Sequence, residues 1–356
     1  MPLPPPRAWP VLALAAALAG CAAVAPGPVP PGPVPLPGSF APLVRQVLPA
    51  VVSIAFTETV PAQQLPGARR RFSEHLAGAG SGFIVSPDGV IVTNNHVVAH
   101  AAQILVRLTD GAVLPARVLG RDPLTDIAVL KVHPAHPLPA AIWGDSRKLA
   151  VGDWVLAAGN PFGLGGSVTA GIVSAEGRSL GDGPFDRFLQ LDAPINPGNS
   201  GGPAFNLRGH VIGMTTAIVS PTGGSVGLGF AIPSDLVRRI VAQLRAHGSI
   251  ARGWLAVAIT DATGADTAGP AGVPSGTPGG ARITGVDPTG PGALAGLRAG
   301  DIVTGVDGAP IADAAALIRA VAAIPPGTTI RITLRRGATS LTVPATLGRR
   351  PIDPSG

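Results

Sequence analysis

The chain holds one cysteine, Cys21, in 356 residues, and only 13% of its residues are charged. A lone cysteine excludes an intrachain disulfide. The charge is also diffuse. Twenty-six Lys and Arg against 20 Asp and Glu leave a net charge of +6, and the longest basic run is Arg69-Arg70-Arg71. That triplet reads as a solvated loop, and with no base-reading motif beside it, a nucleic-acid partner is not expected. Long hydrophobic runs are missing too: the apolar stretch Val11 to Ala19 is too short to span a bilayer. Metal-ligand motifs are lacking as well. His100 follows His96 by four residues, but Val97 stands where zinc chemistry of that spacing needs glutamate. His100 therefore reads as a surface histidine, and His133 and His136, among prolines, as loop residues. No metal and no organic cofactor is implied.

What the chain has in plenty is glycine (49), proline (40) and short apolar runs, with 46% hydrophobic residues overall. Apolar runs punctuated by turn signals argue for globular β structure rather than low complexity. Strands are predicted near 83–85, 90–93, 104–108, 113–119, 127–132, 154–158, 168–174, 211–217 and 226–232. Ser86-Pro87-Asp88-Gly89 and Thr109-Asp110-Gly111 mark hairpin turns between them. Such a series indicates a sandwich or barrel. Residues 234–247 read as an amphipathic helix on Leu236, Val237, Ile240, Val241 and Leu244, stopped by Gly248.

The N-terminus reads as a targeting segment. Arg7 precedes the apolar run, which ends in Leu18-Ala19-Gly20-Cys21, similar to a bacterial lipobox. In such signals the cysteine is lipidated and becomes the first mature residue; plain secretory cleavage near Ala22-Ala23 is the alternative. Residues 26–37 then hold seven prolines and favour polyproline II. At ~3.1 Å per residue, 22–39 would hold the body up to roughly 50 Å from a membrane, unless the stretch is a leader with no spacing role.

The chemistry-bearing segment is Asn196-Pro197-Gly198-Asn199-Ser200-Gly201-Gly202-Pro203. A hydroxyl nucleophile needs a base for its proton and donors aimed at the oxyanion it creates. Gly198, lacking a Cβ, lets its own N–H and that of Ser200 converge on one point. Alone, the run is compatible with an ordinary turn. Two other segments remove that reading. His96 follows an apolar run in Thr93-Asn94-Asn95-His96-Val97-Val98, and Asp126 opens another in Thr125-Asp126-Ile127-Ala128-Val129-Leu130. Histidine, aspartate and serine thus occur in the chain order of the chymotrypsin-like proteases. In those roles His96 takes the Ser200 proton and returns it to the leaving amine, while Asp126 fixes the imidazole tautomer. An arginine-selecting pocket places aspartate six residues before the serine; Pro194 stands there and offers no counter-charge.

These motifs, with Gly80-Ser81-Gly82-Phe83-Ile84, Gly159-Asn160-Pro161-Phe162-Gly163-Leu164-Gly165 and Gly227-Leu228-Gly229-Phe230-Ala231-Ile232-Pro233, resemble the HtrA (Deg) family of trypsin-like serine proteases from about Phe40 to about Leu347. The resemblance implies a mostly β fold, in which a chymotrypsin-like double six-stranded barrel is followed by one PDZ domain, a small α+β unit. His96 and Asp126 would lie on the first barrel and Ser200 on the second. It also implies that Thr216, Ala217 and Ile218 line an apolar substrate pocket, that Arg178 sits in a regulatory loop, and that members form trimers through the N-terminal part of the protease domain. PDZ support comes from residues 286–303, Val306-Asp307-Gly308, a helix near 313–323 and a closing strand pair. A PDZ domain binds an extended C-terminus beside a strand, its carboxylate gripped by backbone amides. The gripping loop would be Gly253-Trp254-Leu255-Ala256-Val257, with Ala256 where the family usually carries glycine; the Gly/Ala/Pro/Thr-rich stretch 261–280 is expected to be a loop.

The expected organisation is a lipoprotein-type signal peptide (1–20), a Pro-rich linker (21–39), a protease domain (40–248), a PDZ domain (252–347) and a short tail (348–356). The expected function is a serine endopeptidase of the bacterial periplasm, lipid-anchored through Cys21, acting on unfolded polypeptides and reading protein C-termini. The rival is a chaperone or peptide-binding scaffold with a mostly latent protease. A small-molecule esterase would share the nucleophile but leave the PDZ domain unexplained.

Overall fold

The structure is a computed structural model that describes residues 38–60, 73–160, 166–181, 183–221, 223–262 and 279–351. Cys21 and the signal and linker segments, Arg69 to Arg71, residues 161–165 and most of the 261–280 stretch lie outside the described residues. The elements all belong to one compact unit, Ala41–Gly356.

After helix α1 (Ala41–Val47), six strands close a barrel: β1 (Val51–Val60), β2 (Ser73–Ser86), β3 (Val90–Thr93), β4 (Gln103–Arg107), β5 (Val113–Asp122) and β6 (Ile127–Lys131), in the order β1-β2-β3-β6-β5-β4. A short helix, α2 (Asn95–Val98), follows β3 directly. Val52, Ile54, Ile84, Ile91, Val106 and Leu130, all fully buried, fill the interior. Closure leaves no edge of this barrel for another chain to pair with.

The second barrel uses β8 (Trp154–Gly159), β9 (Ser167–Arg178), β10 (Phe188–Leu191), β13 (Gly229–Pro233), β12 (His210–Ile218) and β11 (Pro203–Phe205), closed by the β11–β12 pairing. The two-residue β7 (Ile142–Trp143) adds to β12 in parallel. Val155, Val173, Leu191 and Ile212 are fully enclosed within it. The last sequence-predicted strand needs correction. Residues 226–228 are not strand but turn, because Gly227 adopts φ +81°, and β13 begins only at Gly229. By contrast β5 runs three residues beyond the predicted end, to Asp122.

Helix α3 (Ser234–His247) packs against β5 and β6 of one barrel and β12 of the other. Its buried residues Val237, Ile240, Val241 and Leu244 repeat at helical spacing. Gly248 ends it at φ 72°, donating its N–H to Leu244 O at 2.9 Å.

The C-terminal part forms a five-strand sheet path, β15 (Val257–Asp261), β16 (Ala281–Val286), β17 (Ile302–Val306), β19 (Thr329–Arg336) and β20 (Thr339–Thr346), with β18 (Ala309–Pro310) on β17. β14 (Gly253–Trp254) pairs separately with β21 (Gly348–Arg349). Two helices accompany it, α4 (Pro291–Leu294) and α5 (Ala314–Ala322). Asp313 caps α5 by accepting from Ala316 N at 2.6 Å. Leu255, Ile283, Leu297, Leu317, Ile332 and Leu334 build its core.

Candidate active site

Sheet register brings the first two site residues together. β3 pairs with β6 so that Thr93 faces Ala128. The residues just past β3 therefore meet those just before β6, and His96 and Asp126 occupy these two positions. Asp126 has φ 55°, a left-handed conformation that aspartate tolerates better than bulky or β-branched residues do. That turn aims its carbonyl at Asn94 Nδ2 (3.0 Å) and Asn95 N (3.1 Å), leaving the carboxylate to face the histidine. His96 N donates to Asp126 Oδ1 at 2.9 Å, and His96 Nδ1 lies 2.8 Å from Asp126 Oδ2. One carboxylate thus grips both the backbone and the ring of the same residue, so ring position and tautomer are set together. The histidine side chain is 51% exposed and the aspartate's 30%, so the pair opens onto solvent and onto any chain laid across it.

The serine arrives from the other barrel. β11 pairs with β12, Pro203 facing Met214, which sets the preceding loop beside Thr215 and Thr216. Gly201 N donates to Thr215 O and Thr215 N to Gly202 O, both at 2.8 Å. Thr216 then touches both halves of the site: its hydroxyl donates to Asp126 Oδ2 at 2.8 Å, while its carbonyl lies 3.3 Å from Ser200 Oγ. Gly198 has φ 98° and Gly201 φ 84°, conformations that suit glycine. At Gly201 a Cβ would also come within 2.3 Å of Ser81 O and 2.4 Å of Thr93 Oγ1, so the serine loop reaches the first barrel only without a side chain there. His96, Asp126 and Ser200 are thus linked where the two barrels touch, His96 directly to Asp126 and Ser200 through Thr216.

The sequence-predicted pocket residues follow β12. Thr216 is buried and Ala217 and Ile218 are half-buried. Pro194 is exposed, with its carbonyl accepting from Thr169 Oγ1 at 2.8 Å. Its neighbour Ile195 is buried and lies under Gly229, where a Cβ would meet Ile195 Cδ1 at 2.8 Å. Arg178 sits exposed at the end of β9, opposite Phe188.

In the C-terminal part, a groove of about 310 Å³ runs between β15 and α5, lined by Trp254, Leu255, Ala256, Val257, Ile259 and Leu317, among others. The carbonyls of Leu255 and Ala256 accept from Gly292 N (2.8 Å) and Asp287 N (3.0 Å), which points them toward α4 and its approach rather than into the groove. Ala256 has φ 57°, so alanine does stand where the loop demands a left-handed residue.

Two family profiles match this chain, one described as a trypsin-like peptidase domain over residues 80–214 and one as a PDZ domain over 282–336. A probable periplasmic serine endoprotease, DegP-like, from Pseudomonas fulva (strain 12-X) is 42% identical over 344 residues, spanning 88% of this chain and 71% of that protein. The chain belongs to the HtrA family of serine proteases. A DegP-like relative from Brucella suis biovar 1 (strain 1330) is 48% identical over 281 residues, 79% of this chain and 54% of the relative. The chain therefore spans about half the length of such curated relatives. Among solved structures, the HtrA-type protease AlgW with tripeptide is 39% identical with a TM-score of 0.77, covering 88% of this chain and 98% of that one.

Two contacts in this HtrA chain escaped the sequence reading. Arg252, one residue before β14, forms a buried ion pair with Asp122, and its guanidinium carbon lies 4.6 Å from the centre of the Phe185 ring. Thr125 Oγ1 donates to the same Asp122 carboxylate at 2.6 Å, one residue from Asp126. Arg319 of α5 also donates to Pro184 O at 2.7 Å. The second contact is Ser81, enclosed on β2 and bonded to the serine loop. Neither carried a signal beyond its place in a matching segment, because every bond but Thr125–Asp122 joins residues far apart in sequence.

Proposed function

We propose that this chain is an exported serine endopeptidase that cleaves unfolded or damaged proteins of the bacterial periplasm, with His96, Asp126 and Ser200 as its triad. The observation that carries the reading is the Asp126 carboxylate, held 2.8 Å from His96 Nδ1 and 2.8 Å from the hydroxyl of Thr216, whose carbonyl meets Ser200 Oγ. The Ser200 hydroxyl has one proton, and at 3.3 Å its bond to Thr216 O is long. Attack begins when that hydroxyl turns to His96 Nε2. The imidazole accepts the proton as Oγ bonds to the scissile carbonyl carbon, and Asp126 stabilises the imidazolium. The N–H groups of Gly198 and Ser200 receive the oxyanion. His96 then protonates the departing amine, and a water, deprotonated by the same ring, releases the acyl group from Ser200.

The apolar walls at Ala217, Ile218 and Ile195, with no charge at Pro194, suit an aliphatic residue before the cut bond. The β15–α5 groove suits an extended C-terminus ending in an apolar side chain. Cys21 would carry the lipid anchor, and the protein would assemble as a homotrimer. Casein digestion by the full chain and by Ser200→Ala tests the central assignment: removing the nucleophile should lower cleavage by at least roughly 10⁴-fold. A variant that keeps a tenth of wild-type cleavage ends it.

A further inference from the structure

We infer that Ser81 is a positioning residue for the oxyanion hole, bracing from the first barrel the carbonyls of Gly198 and Ser200, the two residues whose N–H groups are the hole's donors. The inference rests on the protease reading above. Ser81 is fully buried on β2 and every polar atom it owns is engaged. Its N–H donates to Ser200 O at 2.9 Å. Its hydroxyl donates to Gly198 O at 2.6 Å and accepts from Asn160 N at 2.8 Å. Its carbonyl accepts from Thr93 Oγ1 at 2.8 Å, on the strand that leads to His96. One residue therefore holds the carbonyls of both Gly198 and Ser200 and ties them to the histidine's own strand.

The need for such a brace follows from the glycine. An oxyanion hole works because its donors are already aimed where charge develops, so they need no reorganisation during reaction. Gly198, at φ 98°, has no side chain to hinder rotation of its flanking peptides. Holding Gly198 O fixes the peptide on its C-terminal side, and holding Ser200 O fixes the one after the nucleophile. Asn199 N adds a bond to Asn196 O at 3.0 Å, and Thr215 Oγ1 donates to Asn199 O at 2.5 Å. Of these restraints, the Ser81 hydroxyl is the one that acts on the glycine. Losing it also orphans Asn160 N, which is 1% exposed as a residue.

The test is Ser81→Ala in the full chain, read three ways beside wild type. Peptide cleavage should lose roughly 10- to 100-fold in kcat, less than removal of a hole donor outright, with KM changed less than threefold. Affinity for a substrate-derived peptide aldehyde, whose hemiacetal oxygen occupies the hole, should fall by the same factor as kcat/KM. Binding of the uncleaved peptide, measured in a Ser200→Ala background, should stay within twofold. A merely structural role would lower stability without separating these readouts. If Ser81→Ala does not fold, Ser81→Cys carries the same measurements, since a thiol keeps the shape and weakens the donor. A kcat within twofold of wild type, or a loss confined to KM, overturns the brace alone. A wild type that cleaves no peptide overturns the protease reading and the brace with it.

Discussion

Gly290 is a glycine for the sake of a residue 34 positions earlier. Its own backbone, φ −84° and ψ 164°, suits any amino acid. Yet a Cβ placed on it would lie 2.3 Å from the Cβ of Ala256, which is 5% exposed and held at φ 57°. Gly290→Ala should therefore overpack the carboxylate loop at a cost of about 1–3 kcal/mol. Ala256→Gly alone should be close to neutral. It relieves about 1–2 kcal/mol of left-handed strain, but gives up ~0.8 kcal/mol of methyl burial and about 0.5–1 kcal/mol of backbone entropy. In the double variant that clash is absent and only the tight approach to Asp287 Cβ and O, at 3.3 Å, remains, so Gly290→Ala costs much less and the coupling should equal most of the single-variant cost. Calorimetry of the four full-length proteins reads this directly. At about 4–8 °C per kcal/mol for a domain of this size, Gly290→Ala should lower the PDZ transition by roughly 4–24 °C, and Ala256→Gly should restore it. Effects that add within about 0.5 kcal/mol would refute the argument, since they would mean the two Cβ positions never compete.

Mass spectrometry of products from an unfolded substrate should show aliphatic residues before the cut bond; a majority of Arg or Lys there would sink the reading of the pocket. Asp301→Asn should destabilise the PDZ region by about 3 kcal/mol at neutral pH, because Arg336 bonds both carboxylate oxygens at 2.7 Å. Burial, the largest influence, pushes the Asp301 carboxyl up, but the Arg336 bonds, the Arg298 N–H and the nearby charges together hold it below the ordinary carboxylate range. With the folded value depressed, this stability is fully present above the unfolded carboxylate pKa of about 3.9 and is lost as pH falls through the lowered value. Urea titrations should accordingly show the wild-type advantage constant above about pH 5 and shrinking below about pH 4. Cys21→Ser should release the protein from the membrane fraction or block its processing, whereas an unmodified mature N-terminus beyond Cys21 would contradict lipid anchoring.

The candidate site was legible in the sequence wherever it depended on residues close together in the chain. His96, Asp126 and the Gly198-to-Ser200 loop each carry a local signal, and strand pairing brings those signals to one place. Turn chemistry fixed many strand limits, but it left β1, β10 and β11 unpredicted, cut β2 and β9 short, and failed at 226–228, where apolar Val226 and Leu228 flank a glycine at φ 81° that bends the chain. The Thr216 bond to Asp126 spans 90 positions and the Arg252 bond to Asp122 spans 130, so no spacing rule reaches them. Ala256 lies between these cases. Sequence flagged its identity, while its left-handed φ comes from the loop's bonds to Asp287 N and Gly292 N.

Arg252 makes the boundary between the two modules a matter of bookkeeping rather than of structure. In sequence a clean cut lies after Gly248. In space the guanidinium beyond that cut is buried against Asp122 at the end of β5 and Phe185 between β9 and β10. A protein shortened at Gly248 would therefore keep His96, Asp126 and Ser200 yet leave a buried carboxylate facing Thr125 without its cation, on the turn that carries Asp126. Such a truncation disturbs the turn that carries Asp126 as much as it deletes the PDZ domain. Separating the two effects needs the intact chain with Arg252→Met beside the shortened one. Whatever activity differs between them belongs to the PDZ domain itself.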